Sequence, residues 1–443
     1  MCGILLNISS KGVDANRFIK SLDLLEHRGP DSKNFAWYYD DSNFLNRSKI
    51  NKIEEKKSIQ MMMGHTRLSI LDLSDYNNQP MISKNDDYVL MYNGEIYNYK
   101  EVRKELENEG VSFDSDGDTE VLFKALIYWG LDCVKKLNGM WAFVFYDVRN
   151  ATLSLSRDPF GKKPLYYHFN DNNLIVSSEF KSIFSFLDVE KRKVSSEYLC
   201  SYLFYDHAPT FQNGDTFYSD IKSVEPGTLL SYNKRTRKFT KNNHNLLSNY
   251  LNCIPNVKNL ERDLSAAVDI RLRADVPIGV LISGGIDSSL VAAFARKNGQ
   301  IRNKNIIFYT ANSPNSKDIK YAKIIANSLG IKLKIIDIPY DSKGISNFRE
   351  MIKQYEIPMP LGGAANSAYY LFSKISEDGV KVVLDGTGGD ELFAGYYKEY
   401  RTGYVMSLIY SFKFVSCIKE KSRFHETYLK YTKYLNHIFL SYF

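Results

Sequence analysis

A cysteine stands at position 2, behind a methionine and ahead of a glycine and an apolar run, in MCGILLNIS. A small second residue lets the initiator methionine be trimmed, and Cys2 would then carry both a thiol and a free α-amine. Such an amine titrates near neutrality, so it can take the thiol proton as a local base. The competing reading is a small residue opening a strand. A cysteine nucleophile needs an oxyanion hole, and NGEIYN offers one in the Asn93 amide beside the Gly94 N–H. The same Asn-Gly pair after a strand also reads as a hairpin turn. Arg67, in TRLSIL, carries a fork of donors that suits a carboxylate and equally an ion pair. Asp118, in DGDTEV, can bind an amino group or cap a helix.

A second cluster lies in ISGGIDSS. An apolar strand, then Gly284 and Gly285, then a helix start shapes a backbone to hold phosphate oxygens. Ser283, Ser288 and Ser289 add hydroxyl donors. The lysine of the GxxxxGK[ST] loop is missing, which sets this loop apart from those of phosphoryl-transfer NTPases. Asp287 would repel a phosphate unless a cation lay between them, so Mg²⁺ is implied. An ordinary strand-to-helix turn is the competing reading. DGTGGDELFAGY has the same character: its glycines permit close backbone approach, and Asp390 and Glu391 can be cation ligands or helix N-terminal charges. Two such loops at the strand ends of one parallel sheet converge on one crevice and favour a nucleotide site.

The elements that position these residues change character along the chain. GHTRLSILDLS, YVLMYNGEIYN, MWAFVFYD, TLSLSRD and LYYHF read as strands between turns. YKEVRKELENEG and DTEVLFKALIYWG read as helices, the second opened by Asp118 or Thr119 as cap. This grouping predicts an α+β layered domain. From about Asn259 helices and apolar runs alternate, from LERDLSAAVDIRLRA and VPIGVLIS to YYLFSKISEDG and VKVVL, which predicts a parallel sheet with crossover helices. The boundary falls between Leu187 and Asn259, where the basic run KRTRK reads as a solvated linker.

Composition narrows the partners. The net charge of +7 is spread out, and the basic residues form no stripe interleaved with aromatics, which argues against nucleic acid. An anionic small substrate is compatible with it. Five scattered cysteines without a CxxC or Cys/His cluster argue against a disulfide framework or a zinc site and for a cytoplasmic chain. VMSLIYSF is too short to span a bilayer, so no membrane role is expected.

MCGI, EHRGPDS, HTRLSILDLS, YNGEIYNY, GDTEVLF, NGMWAFVFYD and SRDPFGKKPLYY together resemble the class II, N-terminal-nucleophile glutamine amidotransferases. RADVPIGVLISGGIDSSLVAA and DGTGGDELFAGY resemble the PP-loop synthetase domain. In this order the combination resembles the glutamine-hydrolysing asparagine synthetase family. The resemblance implies an αββα N-terminal-nucleophile domain over 2–190, a connecting segment over 191–258, and an α/β parallel-sheet PP-loop ATP-pyrophosphatase domain over 259–443. It implies Cys2 as nucleophile, Asn93 and Gly94 as oxyanion hole, and Arg67 for the glutamine carboxylate. Leu68, Ser69, Ile70 and Leu71 would form a strand walling the pocket, and Glu95 and Asp118 would hold the glutamine amino group. Ser283, Gly284, Gly285, Asp287 and Ser288 would grip pyrophosphate. Ile282, Thr310, Asp385 and Gly386 would contact the rest of ATP, and Asp287 and Asp390 would bind Mg²⁺. The implied partners are glutamine, ATP and aspartate or another carboxylate acceptor, and a homodimer is compatible with the pattern.

Two departures bear on the second half. Thr387 stands where the family has an acidic residue between glycines, and Asp385 stands where it has serine. Relatives that amidate sugar acids vary here, so a sugar acid is the alternative acceptor. The family's E-x-R-x-P-F-L-D segment is not found in the tail, so a truncated synthetase domain is expected. A non-synthesising glutaminase or ATP-binding module is the reading from another class.

Overall fold

The computed structural model describes residues 1–39, 45–46, 58–188, 190, 192–205, 214–243, 257–313, 316–339, 342–357 and 363–393. The expectations about the tail fall on residues outside these.

Alternating apolar residues build two stacked antiparallel sheets in the first half. One contains β1 (Gly3–Ser9), β2 (Ser32–Tyr39), β3 (Leu45–Asn46), β4 (Ile59–Arg67), β9 (Tyr166–Phe169), β10 (Asn173–Ser177) and β11 (Lys222–Ser223). Its order is β11-β9-β10-β1-β4-β2-β3. The other contains β5 (Met81–Ile82), β6 (Tyr88–Ile96), β7 (Gly139–Asp147), β8 (Thr152–Arg157), β12 (Thr228–Asn233) and β13 (Lys238–Asn243), in the order β13-β12-β8-β7-β6-β5. Strand periodicity sends alternate side chains to opposite faces. In β1, Ile4, Leu6 and Ile8 enter the core between the sheets, while Leu5 joins the outer layer of α1 (Ala15–Asp23) and α4 (Phe180–Phe184) through Phe18, Leu22 and Ile183. In β6, Val89 and Met91 face the first sheet, while Leu90 and Tyr92 pack under α2 (Tyr99–Asn108) and α3 (Asp118–Trp129). The result is the αββα sandwich expected. Each fully buried Leu or Ile contributes roughly 2 kcal/mol, so the strands that carry the site are firmly anchored.

The second half, which follows α5 (Ser196–Tyr205), alternates as expected. It holds α6 (Leu260–Arg271), β14 (Ile278–Leu281), α7 (Ile286–Ile301), β15 (Ile306–Asn312), α8 (Asp318–Ser328), β16 (Leu333–Asp337), α9 (Ser342–Tyr355), α10 (Gly363–Glu377), β17 (Val382–Leu384) and α11 (Gly389–Phe393). The four strands form a parallel sheet in the order β16-β15-β14-β17. The strand order reverses beside β14, which places the loops after β14 and β17 side by side at a topological switch point. Among the described residues no helix is long and apolar enough to cross a membrane.

Four local expectations change. The strand through TRLSIL ends at Arg67, and Leu68–Leu71 is a loop rather than a strand wall. Arg67 explains the break, because it donates to the carbonyls of Leu71, Asp72 and Ser74 and folds the chain back on itself. The Asn93-Gly94 pair is not a turn: Asn93, Gly94 and Glu95 continue β6, opposite Ala142, Trp141 and Met140. Gly94 is required there, since a Cβ would lie 2.2 Å from the Met140 carbonyl oxygen. Asp118 is not the cap of α3, a place taken by Gly117. KRTRK is no linker but the turn between β12 and β13, with Arg237 at φ 58° and its N–H on the Asn233 carbonyl.

Candidate active sites and the cavity between them

Cys2 precedes β1, and its backbone N–H donates to Asn93 Oδ1 at 2.9 Å. The Leu68 N–H points at the Cys2 sulfur at 3.4 Å. Arg28, almost fully buried, donates from Nε to the Cys2 carbonyl at 2.9 Å and from Nη1 to Glu179 at 2.7 Å. Burial would raise the Glu179 carboxyl, but His27, Arg28 and Lys181 outweigh it and hold it at about 2. The α-amine of Met1 is pushed down to about 5, chiefly by burial.

The pocket beyond Cys2 is lined by β6 and α3. Asn93 is 1% exposed, and its Nδ2 is buried without a partner among the described residues. A buried unpaired donor is costly, and here it belongs to the same amide that accepts from Cys2. Asp118 is buried and accepts from the Tyr92 hydroxyl at 2.8 Å and the Ile96 N–H at 2.9 Å, which locks it to β6; burial raises its pKa. Burial also pushes Glu95 up to about 7, against the opposing charge of Lys163. Arg67 is buried in the same wall, and its Nη1 also donates to Asn78 Oδ1 at 3.3 Å besides the loop carbonyls named above. The sites expected at Cys2, Arg67, Leu68, Ile70, Leu71, Asn93, Gly94, Glu95 and Asp118 thus come together around one cavity. Ser69 sits behind it, with its N–H on Asp31 at 2.6 Å.

Arg28 and Lys163 were not singled out from the sequence. Lys163 is buried and lines the cavity because the fully buried Asp158 accepts the amides of Phe160, Lys162 and Lys163 and folds that loop inward. The available signal was a basic residue inside each of two glycine-proline motifs, EHRGPDS and SRDPFGKKPLYY.

The loops of the second half meet as the switch point requires. Gly284 takes φ +89°, and a Cβ there would lie 2.6 Å from Tyr321. Ser283 and Ser288 share a hydroxyl bond of 2.9 Å, and the Ser288 hydroxyl also donates to the Gly285 carbonyl at 3.2 Å. The second loop presses on the first: a Cβ at Gly386 would lie 2.7 Å from the Ser288 nitrogen, and one at Gly389 would lie 2.5 Å from Asp287 Cγ. Asp287 is thereby placed beside the segment that carries Asp385 and Asp390. The Thr387 N–H donates to Asp385 at 3.0 Å. Ile282, just after β14, and Thr310, in β15, are buried side by side, and Thr310 Oγ1 has no partner among the described residues. Among the described residues no group of three or more His, Cys, Asp or Glu side chains is arranged to hold a metal. Two carboxylates at a glycine-rich loop nevertheless fit Mg²⁺, which takes one or two carboxylates and completes its shell with phosphates and water.

One cavity of about 790 Å³ joins the two regions. It is lined by Cys2, Asn93 and Glu95 at one end and by Asp287, Asp385 and Gly386 at the other. Its lining also includes apolar side chains, among them Ile70, Val268, Val291 and Phe294, and the cations Arg271 and Lys381.

Residues 1–243 match the family model of the glutamine amidotransferase domain, and residues 259–428 match that of asparagine synthase. A Methanocaldococcus jannaschii protein with the provisional name asparagine synthetase 2, glutamine-hydrolyzing, is 32% identical over 430 residues, which is 92% of this chain and 78% of that one. Asparagine synthetase 1, glutamine-hydrolyzing, of Bacillus subtilis is 30% identical over 402 residues, covering 87% of this chain and 57% of the relative. Amidase chyE of Penicillium rubens is 30% identical over 396 residues, covering 85% of this chain and 54% of the relative. The chain thus spans little more than half the length of the last two.

Proposed function

Because this chain belongs to the glutamine-hydrolysing asparagine synthetase family, we propose that it is an ATP-dependent ligase. It releases ammonia from glutamine at Cys2 and joins it to a carboxylate activated at the second site, with aspartate as acceptor. The single observation that carries this reading is the cavity running from Cys2 to Asp287 and Asp385.

The first step uses the groups around Cys2. After removal of Met1, the Cys2 α-amine lies against Asn93 Oδ1 and takes the thiol proton. The thiolate attacks the side-chain carbonyl carbon of glutamine, and the unpaired Asn93 Nδ2 and the Gly94 N–H receive the oxyanion. Ammonia leaves with the proton held by the amine, and water then cleaves the thioester to glutamate. Glu95 and Asp118 hold the substrate ammonium, and Arg67 attracts its carboxylate. Because the Arg67 fork already serves loop carbonyls, it acts through its charge and through the shape of the 68–72 loop.

Ammonia crosses the cavity from Cys2 to the second site, where shielding from water would keep it unprotonated. At the far end the acceptor carboxylate attacks the α-phosphate of ATP and releases pyrophosphate, which the 283–288 loop grips through backbone amides and hydroxyls. Ammonia then attacks the acyl carbon and AMP departs. Asp287 and Asp390 would hold Mg²⁺, which when bound neutralises phosphate charge. A loop without a P-loop lysine suits attack at the α-phosphate.

A second reading keeps the chemistry and changes the acceptor to a sugar acid. Thr387 favours it, because no carboxylate stands between the glycines of that loop. ATP–pyrophosphate exchange with purified protein and Mg²⁺, first with aspartate and then with a panel of sugar acids, decides between them. Exchange with aspartate supports the first reading and exchange only with another acid supports the second. No exchange from folded protein that hydrolyses glutamine rejects the ligase reading.

A further inference from the structure

The loop that touches the Cys2 sulfur is held from outside its own domain. The Asp275 N–H donates to the Ile70 carbonyl at 2.9 Å, and the Asp72 N–H donates back to Asp275 Oδ2 at 2.9 Å. On the other side, Lys381 Nζ donates to Asp31 Oδ2 at 2.7 Å and to the Ser69 carbonyl at 3.5 Å. Asp31 Oδ2 also accepts the Ser69 N–H at 2.6 Å. Residues 69–72 are therefore clasped between Asp275, just before β14, and Lys381, just before β17. Their neighbour Leu68 carries the N–H that meets the Cys2 sulfur.

We infer that Lys381 and Asp275, both from the synthetase half, are positioning residues for glutamine hydrolysis: they clasp residues 69–72 and so hold the Leu68 amide against the Cys2 sulfur. The inference rests on Cys2 being the nucleophile. The Leu68 amide meets the sulfur directly, so the clasp sets the surroundings of the nucleophile as well as the wall of the pocket. Exposed ion pairs contribute little by themselves. Lys381 and Asp31 are 30% and 29% exposed, but their pair closes a network that also binds both polar groups of the Ser69 backbone. A clasp made by the ATP-binding half means that the glutamine pocket takes its working shape only when the two halves are docked.

The test uses the full chain with Lys381→Met, Lys381→Arg and Asp275→Ala. Two quantities are read: kcat/KM for glutamate release, and the pH profile of Cys2 alkylation by iodoacetamide, followed on the N-terminal peptide. Lys381→Met should lower kcat/KM by about tenfold, as a misplaced wall does, and should change the alkylation profile. Lys381→Arg, which keeps the cation, should stay within about twofold of the parent. ATP binding should be equal in all. Parent-like values for both quantities in Lys381→Met would overturn the inference, as would equal losses in the Met and Arg variants. If Lys381→Met does not fold, Asp275→Ala reports the opposite side of the clasp through the same two readouts. Alkylation needs no glutamine turnover. A shifted profile in a protein whose parent releases no glutamate would keep the clasp and reject the glutaminase reading.

Discussion

Asn93, Glu95 and Asp118 are 1%, 8% and 6% exposed, whereas Asp385, Thr387 and Asp390 stand open to solvent. The glutamine pocket is built from β-strands whose opposite faces are sealed in a sandwich core, and its polar atoms are fixed before any substrate arrives. The nucleotide loops lie at the ends of a four-stranded sheet, and they offer backbone amides, hydroxyls and a few carboxylates. Under the proposed function the difference follows the ligands. A neutral carboxamide brings little charge, so the protein must prepay the orientation of each donor. A polyphosphate with its cation brings its own charges and completes the site on arrival. The contrast makes separable predictions for the two ends of the cavity.

The largest expected effect is on Cys2. Cys2→Ala should reduce glutamate release by about 10⁴-fold or more, as loss of a nucleophile does. Ammonia-driven, acceptor-dependent AMP formation should remain, since the second site does not use the thiol. Parallel measurement of glutamate and AMP checks this, and equal loss of both would break the two-site comparison.

Next comes Asn93→Ala, which removes the unpaired Nδ2 and the acceptor for the Cys2 N–H together. A loss of about 10²–10³ in kcat for glutamate release is expected, with KM for glutamine little changed. A change confined to KM would make Asn93 a binding group rather than an oxyanion donor. On the other side, Asp287→Asn should lower ATP–pyrophosphate exchange by about a hundredfold, through loss of a cation ligand. Glutamate release by Asp287→Asn should stay near the parent value, and a comparable loss there would show that the two sites are not independent.

The sequence made the fold class and most of the pocket legible for a physical reason. Strand alternation and the helix-strand rhythm are local patterns, and Cys2, Asn93, Gly94 and Asp118 lie in short motifs whose chemistry is tied to residue type. What was not legible depends on contacts far apart in the chain. The end of β4 at Arg67 is set by where a guanidinium finds carbonyls, not by the apolar run of LSIL. The straight passage of β6 through Asn-Gly is set by β7, whose Met140 carbonyl leaves no room for a side chain at Gly94. Arg28 and Lys163 escaped notice because a lone basic residue reads as surface until its burial is known. KRTRK looked like a linker because a hairpin turn and a solvated linker share one composition.

The smallest effect is a pH dependence, and it sharpens the comparison because it belongs to the buried site alone. Burial pushes Glu95 to about 7 from an ordinary 4.5, while the network around Glu179 holds that carboxyl at about 2. The signs are opposite. Glu179 contributes stability that is present above pH 4.5 and is lost as pH falls from there toward 2. Glu95 keeps its proton in the folded state between pH 4.5 and 7 and releases it in the unfolded chain, so stability declines as pH rises through that window. Ionised Glu95 is also the form that attracts the glutamine ammonium, so kcat/KM for glutamine should rise through pH 7 as stability falls. Glu95→Gln should flatten both trends, with a higher thermal midpoint at pH 8 and no rising limb near 7. If the limb persists in Glu95→Gln, it belongs to another group, and Glu95 serves to shape the pocket rather than to charge it.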